Sequence, residues 1–343
     1  MTRLNLAIIG CGAVTKTHYL PAIKLADKFM VTVLVDKALA NARHLADKYN
    51  VPEVRDDYRD IVGQVDAVIV ALPNYLHAPI ALDLLQHGIH VFVEKPMALK
   101  TSECDAMIEA ANYSKTVLAV GLEFRFFYSS QFVKQIIKNG LLGDILSFDI
   151  RQGVILNWAM ASDYLLRKEA AGGGVLVDFG SHVLDLLLWW LGDYQRIEYY
   201  DDAMGGVEAN CELHMQMKCG ACGNVELSRI RKLSNQCIIQ GERGVLEVGI
   251  WNFNPLVNLK IKNQNVVLTG QVMHGKTTDK SFREVFCRQL NDFADSITSQ
   301  REPFIPGSEG RRVVKLIEEC YTTRQPLKHP WSCHERPVQS LMN

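Results

Sequence analysis

Residues 4–10 form a run, apolar but for Asn5, that ends on glycine, and apolar side chains then recur at helical spacing through Ala26. Runs of this kind predict strands buried on both faces, as in a parallel sheet. The signature returns at 30–35, 65–72, 91–93 and 117–120, with helical patterns at about 79–88 and 102–113 between the later runs. Residues 1–122 therefore read as an α/β, doubly wound parallel sheet of Rossmann type, closed by a sixth strand. From Ile145 the period changes to two. Leu146, Phe148 and Ile150 alternate with polar residues, as do Leu213, Met215 and Met217, then Val225 and Leu227, with glycine turns such as Gly241-Glu-Arg-Gly244 between such segments. That alternation predicts a large, mainly antiparallel open sheet with one covered face, so residues 123–343 read as an α+β domain for substrate binding and oligomerisation. Helical spacing returns at 281–298 and 309–322, and the tail from Lys328 to Asn343 has little periodicity.

Charge narrows the class of partner. The 37 Lys plus Arg nearly cancel 38 Asp plus Glu, and no block of like charge stands out, which speaks against nucleic acid or an anionic membrane surface. The longest apolar run, 183–191, is interrupted by Asp185 and is too short to span a bilayer. The chain runs from Met-Thr-Arg-Leu-Asn straight into a strand without the regions of an export signal, and its nine scattered cysteines suit a reducing compartment, so a cytoplasmic location is expected. The close pair Cys219 and Cys222 lies between alternating segments and reads as a hairpin turn. No second pair completes a zinc set, and no metal is expected.

The first candidate chemistry lies at the strand ends. Gly10-Cys11-Gly12-Ala13-Val14 follows a strand and opens a helix, the context a dinucleotide turn requires: Gly10 for the tight bend, Gly12 for close approach of the pyrophosphate, and free N–H groups beyond. Thr15 stands where a third glycine or alanine is usual, which predicts slightly looser helix-to-strand packing. The second strand ends at Asp36, whose carboxylate would accept ribose hydroxyls and repel a 2′-phosphate, favouring NAD. Lys37 and Arg43 follow closely, so NADP stays open. Leu72, Asn74 and His77 close the next strand, although His77 reads more readily as structural than as a ligand. Val91-Phe-Val-Glu94-Lys95-Pro96 ends another with a carboxylate and an amine at its tip, and all of these fall on the crevice side of such a sheet. Gly121 to Arg125 leads out of the sixth strand.

The second candidate lies in Gly172-Gly-Gly174 and the following helical run, where Asp178 and His182 are four apart and share a face. Histidine can take and return a proton near neutral pH, Asp178 could bind substrate or tune the ring, and Asp185 could instead hold it. A buried, satisfied His-Asp pair is the plain alternative. Together, Lys95, Asp178 and His182 suggest removal of a proton from a secondary alcohol by His182 while hydride passes to nicotinamide, with Lys95 stabilising the alkoxide or carbonyl oxygen. Trp158 would offer an apolar face to a sugar, whereas Trp189 and Trp190 suit core packing.

Taken as an ordered set, the Gly-Cys-Gly turn with His18, Asp36, Pro73-Asn74-x-x-His77, Glu94-Lys95-Pro96, Gly121 with Arg125, and Gly172-Gly-Gly with Asp178-x-x-x-His182-x-x-Asp185 resemble the Gfo/Idh/MocA family, the glucose–fructose oxidoreductase and inositol dehydrogenase relatives. The resemblance spans 4–322. It implies a Rossmann domain plus an open-sheet domain, NAD or NADP held by the residues named above with Glu94, Lys95 and Arg125 among them, and a catalytic Lys95, Asp178 and His182. It further implies a sugar or polyol substrate and a homodimer or homotetramer formed through the second sheet. Two positions depart from the family pattern: Tyr128 where proline is frequent, and Trp158-Ala159 where Trp-Arg is frequent. Two other classes stay open, an NAD-cycling hydrolase or epimerase-like enzyme without net redox, and a non-catalytic dinucleotide-binding sensor, which would have no need of the intact Lys, Asp, His set.

Overall fold

The structure is a computed structural model that describes residues 3–155, 164–250, 256–261, 264–269 and 281–327. Strands β1 (Leu4–Ile9), β2 (Phe29–Val35), β3 (Glu53–Arg55), β4 (Ala67–Val70), β5 (His90–Glu94) and β6 (Leu118–Gly121) form one sheet in the order β3-β2-β1-β4-β5-β6, parallel throughout. The order reverses between β1 and β4, which opens a crevice beyond the carboxyl ends of the strands. Helices α1 (Leu20–Ala26), α2 (Leu39–Tyr49), α3 (His77–Gln86) and α4 (Thr101–Ser114) connect them. All four residues of β4 are buried, so its side chains must be apolar in both directions.

After α5 (Tyr128–Lys138) the chain builds a second sheet from β7 (Ile145–Gly153), β8 (Tyr194–Asp201), β9 (Asn210–Met217), β10 (Cys222–Ser228), β11 (Gln236–Gly241), β12 (Gly244–Gly249), β13 (Leu256–Ile261), β14 (Gln264–Thr269) and β15 (Gln325–Pro326). Its order is β14-β13-β12-β11-β7-β10-β9-β8-β15, and only β10 against β7 and β15 against β8 run parallel. The predicted alternation is realised at Phe148, Ile150, Leu213, Met215, Val225 and Leu227, which are buried; Leu146, expected with them, is 49% exposed, at the register irregularity between β7 and β11. A short α6 (Lys168–Ala171) precedes α7 (Ser181–Leu191), in which every side chain but Trp189 is buried. A helix apolar on all sides belongs in a core. Residues 168–191 as a whole are long and apolar enough to cross a membrane, unlike 183–191 taken alone, yet 89% of the most apolar window is buried within the protein. Cys219 and Cys222 lie exposed and unbridged in the β9–β10 hairpin.

Two helices from the second half return to the first. On one face of the parallel sheet, Phe286, Leu290 and Phe293 of α8 (Phe282–Thr298) pack with Leu6, Ile8 and Phe92. His18 stacks on Phe286 at 4.8 Å, a packing role. On the other face, Val313 and Leu316 of α9 (Gly307–Thr322) join a core continuous with that of the second sheet. The core of the parallel sheet is thus completed by residues far beyond position 122. Helix α5 is not anticipated by the sequence reading; it buries Val133 and Ile136 on one side.

Candidate active site

At the glycine turn, φ of Gly10 is +102° and a Cβ there would lie 2.1 Å from the Ala71 carbonyl oxygen, so both conformation and space demand glycine. A Cβ at Gly12 would meet nothing within 4 Å. The open side of the turn is therefore at Gly12, where a pyrophosphate would pass. Thr15 is fully buried and its hydroxyl donates to the Gly10 carbonyl at 2.6 Å, and the helix opens with a wide π-turn over Thr15–Tyr19. Asp36 accepts the N–H of Cys11 and that of Ala38, each at 2.8 Å, which fixes its carboxylate at the end of β2 beside the turn. Ala13 and Val14 are half-buried around it and Lys37 is exposed. Burial, with the charge of Asp36, pushes the Cys11 thiol up to about 12, so it is unreactive. The open turn and the fixed acid fit a dinucleotide.

Further along the crevice, Leu72 is half-buried and Asn74 donates its amide to the Ala171 carbonyl at 2.8 Å, tying the β4 end to the second half of the chain. His77 is 1% exposed, and its ring nitrogens lie 2.8 Å from the carbonyls of Pro96 and Leu72. His77 thus braces two strand ends, its one N–H donating to either carbonyl, in keeping with the structural reading of this residue. Glu94 is buried; it accepts from the Tyr19 hydroxyl and from the Lys95 N–H. Burial raises its pKa.

Lys95 and Asp178 meet across the crevice. The Lys95 ammonium donates to Asp178 Oδ1 at 3.1 Å and to the Asp178 carbonyl at 3.0 Å, and the Lys95–Pro96 bond is cis. Burial alone would lower the lysine pKa, but Asp178, Glu94 and Glu123 outweigh it and keep the amine charged. His182 is 4% exposed and stacked on Phe124 at 4.3 Å. Burial and the charge of Lys95 hold its pKa well below the ordinary value, so the ring is neutral. Asp178 does not share an even helical turn with it, because the helix begins as a π-turn over Leu176–Gly180.

One expectation fails here. Asp185 does not hold His182: both of its oxygens accept from Arg125 at 2.6–3.0 Å, and Arg125 also donates to Glu309 at 2.6 Å. At 2% exposure with two carboxylates on it, Arg125 is an internal clamp between the end of β6 and the helices α7 and α9. The carboxylate beside His182 is Glu123, 3.6 Å from Nδ1, whose pKa burial and Glu94 raise to about 8. Arg229, likewise unforeseen, donates to Asp178 Oδ2 at 3.1 Å. It was findable: it occupies the next inward position after Val225 and Leu227, where a charge demands an explanation. Trp158 lies outside the described residues, and so does Ala159.

The three glycines ahead of this helix approach protein. A Cβ at Gly173 would lie 1.8 Å from the Tyr321 hydroxyl, and one at Gly174 would lie 2.0 Å from the Glu208 carbonyl. Glu208 accepts from the N–H groups of Gly174 and Leu176 and from Tyr321, satisfying the helix start that carries Asp178 and His182.

A parallel sheet of order 3-2-1-4-5-6 with an open glycine turn, joined to an open sheet that brings an acid and a histidine to a lysine at a strand tip, defines a two-domain dinucleotide-binding protein. Residues 4–122 match the model of the oxidoreductase family with NAD-binding Rossmann fold and residues 134–329 that family's C-terminal alpha/beta domain, so the chain belongs to the Gfo/Idh/MocA oxidoreductase family, whose nucleotide is NAD. It is 31% identical over 194 residues to the D-glucoside 3-dehydrogenase of Escherichia coli, covering 55% of this chain and 54% of that one. The first relatives matched are thus spanned over about half their length. It is 38% identical over 296 residues to the 2,7-anhydro-N-acetylneuraminate hydratase of Mediterraneibacter gnavus, covering 76% of this chain and 79% of that protein. The aldose-aldose oxidoreductase of Caulobacter crescentus shares the fold, with a TM-score of 0.83 at 22% identity over 94% of this chain and 97% of that one.

Proposed function

We propose that this protein is an NAD(P)-dependent oxidoreductase acting on a secondary alcohol or ketone of a sugar, cyclitol or sugar derivative, with His182 as acid/base, Lys95 as stabiliser of the oxygen and Asp178 as the group that positions Lys95. The observation that carries this reading is the meeting of Lys95 with Asp178 beside a neutral, buried His182. Bound NAD supplies the hydride acceptor or, reduced, the donor. His182 takes the hydroxyl proton because burial keeps its ring unprotonated. Lys95 stays charged and offers its ammonium to the oxygen on which negative charge develops. Gly12 and Asp36 support the cofactor assignment to this chain's own turn. The exposed Ile238, between the buried Cys237 and Ile239 of β11, supports a homo-oligomer formed through the outer face of the second sheet.

A second reading is favoured by one observation, the 38% identity to a protein named a hydratase. Water addition to an anhydro sugar has no net redox change, so the same residues would serve a hydride taken and returned within one turnover.

The test mixes the protein with NAD, then NADP, and a panel of sugars, cyclitols and 2,7-anhydro-N-acetylneuraminate, following reduced nicotinamide by absorbance and products by proton NMR, beside His182→Ala. Accumulating NADH that disappears in the variant supports net oxidation. Product without NADH supports the redox-neutral reading. If nicotinamide binds and no compound is converted, both readings fail.

A further inference from the structure

We infer that Arg229, with Gln152 beside it, forms a subsite for the carboxylate of an acidic sugar. Arg229 is 5% exposed, yet Nε and Nη1 have no hydrogen-bond partner among the described residues. Gln152 is fully buried, and neither its amide oxygen nor its amide nitrogen has one. Buried polar groups are nearly always satisfied, because an unmet donor forfeits its water without compensation. Two such side chains at one place point to a partner that enters from outside.

They are at one place by register. Strands β7 and β10 run parallel, with Gln152 opposite Leu227 and Gly153 opposite Ser228. Phe148, Ile150 and Gln152 point inward from one strand, and Val225, Leu227 and then Arg229 from the other. Arg229 therefore lies diagonally one step beyond Gln152 on the same inner face. Its Nη2 reaches Asp178 Oδ2 at 3.1 Å, while Lys95 holds Oδ1 of that carboxylate, so the guanidinium borders the reacting centre.

The free geometry selects the ligand. Nε and Nη1 flank Nη2, which carries two hydrogens, and Asp178 takes one of them. Whichever edge of the guanidinium Asp178 uses, the other edge still presents two parallel N–H bonds, the pattern that a planar carboxylate accepts. Two cations, Lys95 and Arg229, share the single carboxylate of Asp178, which leaves positive charge for an incoming anion. The amide of Gln152 can donate to the same carboxylate or to a neighbouring hydroxyl or acetamido group.

The assignment rests on the oxidoreductase reading above and narrows its substrate. The test titrates the NAD-loaded full chain by calorimetry with 2,7-anhydro-N-acetylneuraminate and its methyl ester, and with glucuronate against glucose as a second pair. For at least one pair the acid should bind the parent about tenfold or more tighter than its neutral counterpart, the order expected of a charge-assisted bidentate contact. Arg229→Lys keeps a cation facing Asp178 but loses the fork, so the preference should fall to about threefold or less while NAD affinity and the melting temperature hold. Equal binding of acid and neutral forms in both pairs, no binding of either pair, or an undiminished preference in Arg229→Lys would overturn the subsite. Conversion of neutral sugars alone would sink it while leaving the oxidoreductase reading intact. Selective binding of an acid with no conversion of any compound would uphold the subsite and sink that reading.

Discussion

The ammonium of Lys95, at the tip of β5, donates at 3.1 Å to Oδ1 of Asp178, which stands on the helix start ahead of α7. One residue comes from each half of the chain, so the contact exists only when both are folded and docked. If Lys95 serves the developing oxygen charge and Asp178 aims it, Lys95→Met should lower the rate of hydride transfer by about 10²- to 10³-fold, as for loss of one preorganised donor, with NAD affinity nearly unchanged. Asp178→Asn, which keeps the shape but weakens the hold, should lose less. Single-turnover absorbance and NAD titration separate the two effects. A Lys95→Met variant whose only defect is weaker NAD binding would place the lysine in cofactor binding alone.

The two glycines of the cofactor turn make opposite demands. Gly10→Ala drives a methyl group to 2.1 Å from the Ala71 carbonyl in a left-handed backbone region, so the protein must shift, and its melting temperature should fall whether or not NAD is present. At Gly12 a Cβ has no neighbour within 4 Å among the described residues, so Gly12→Val should melt like the parent without nucleotide. Its side chain would fill the space left for pyrophosphate, and NAD should no longer raise its melting temperature. Thermal melts with and without NAD read both. Undiminished stabilisation of Gly12→Val by NAD would mean that the nucleotide does not pass over this turn.

Most of the parallel sheet was legible because strands such as β4 and β5 are buried and read as apolar runs, whereas the half-buried β3, Glu53-Val-Arg55, gives no such run; the second sheet was legible because Phe148, Ile150, Val225 and Leu227 keep period two. The meeting of Lys95 with Asp178 was legible from their places on a strand tip and a helix start. What one sequence does not encode locally is which acid pairs with which base. Asp185 is three residues from His182, yet Arg125 takes it from 60 positions away, and Glu123 reaches the imidazole from the loop after β6. The glycines at 173 and 174 admit Tyr321 and Glu208, residues distant in sequence that fold against them, a pairing no local spacing states. Helix α8 was visible as a helix, but its place on the first sheet depends on tertiary contacts of Phe286 and Phe293 that no periodicity states.

Glu123 and His182 face each other as two neutral groups at neutral pH, and their titrations should shape the stability profile from opposite sides. The Glu123 carboxyl has a pKa raised from 4.5 to about 8, so its contribution is full below 4.5 and is lost as pH rises through 8. The His182 ring has a pKa lowered from 6.5, so its contribution is present above 6.5 and is lost as pH falls toward the depressed folded value. Glu123→Gln fixes the neutral form and should flatten the decline in melting temperature between pH 4.5 and 8 relative to the parent. His182→Asn removes the ring that must charge and should flatten the decline below pH 6.5. Differential scanning fluorimetry across pH 4 to 9 on the parent and both variants gives the comparison. A Glu123→Gln curve that runs parallel to the parent between pH 4.5 and 8 would show that Glu123 is ionised in the folded protein at neutral pH, and His182 would then face a charged carboxylate.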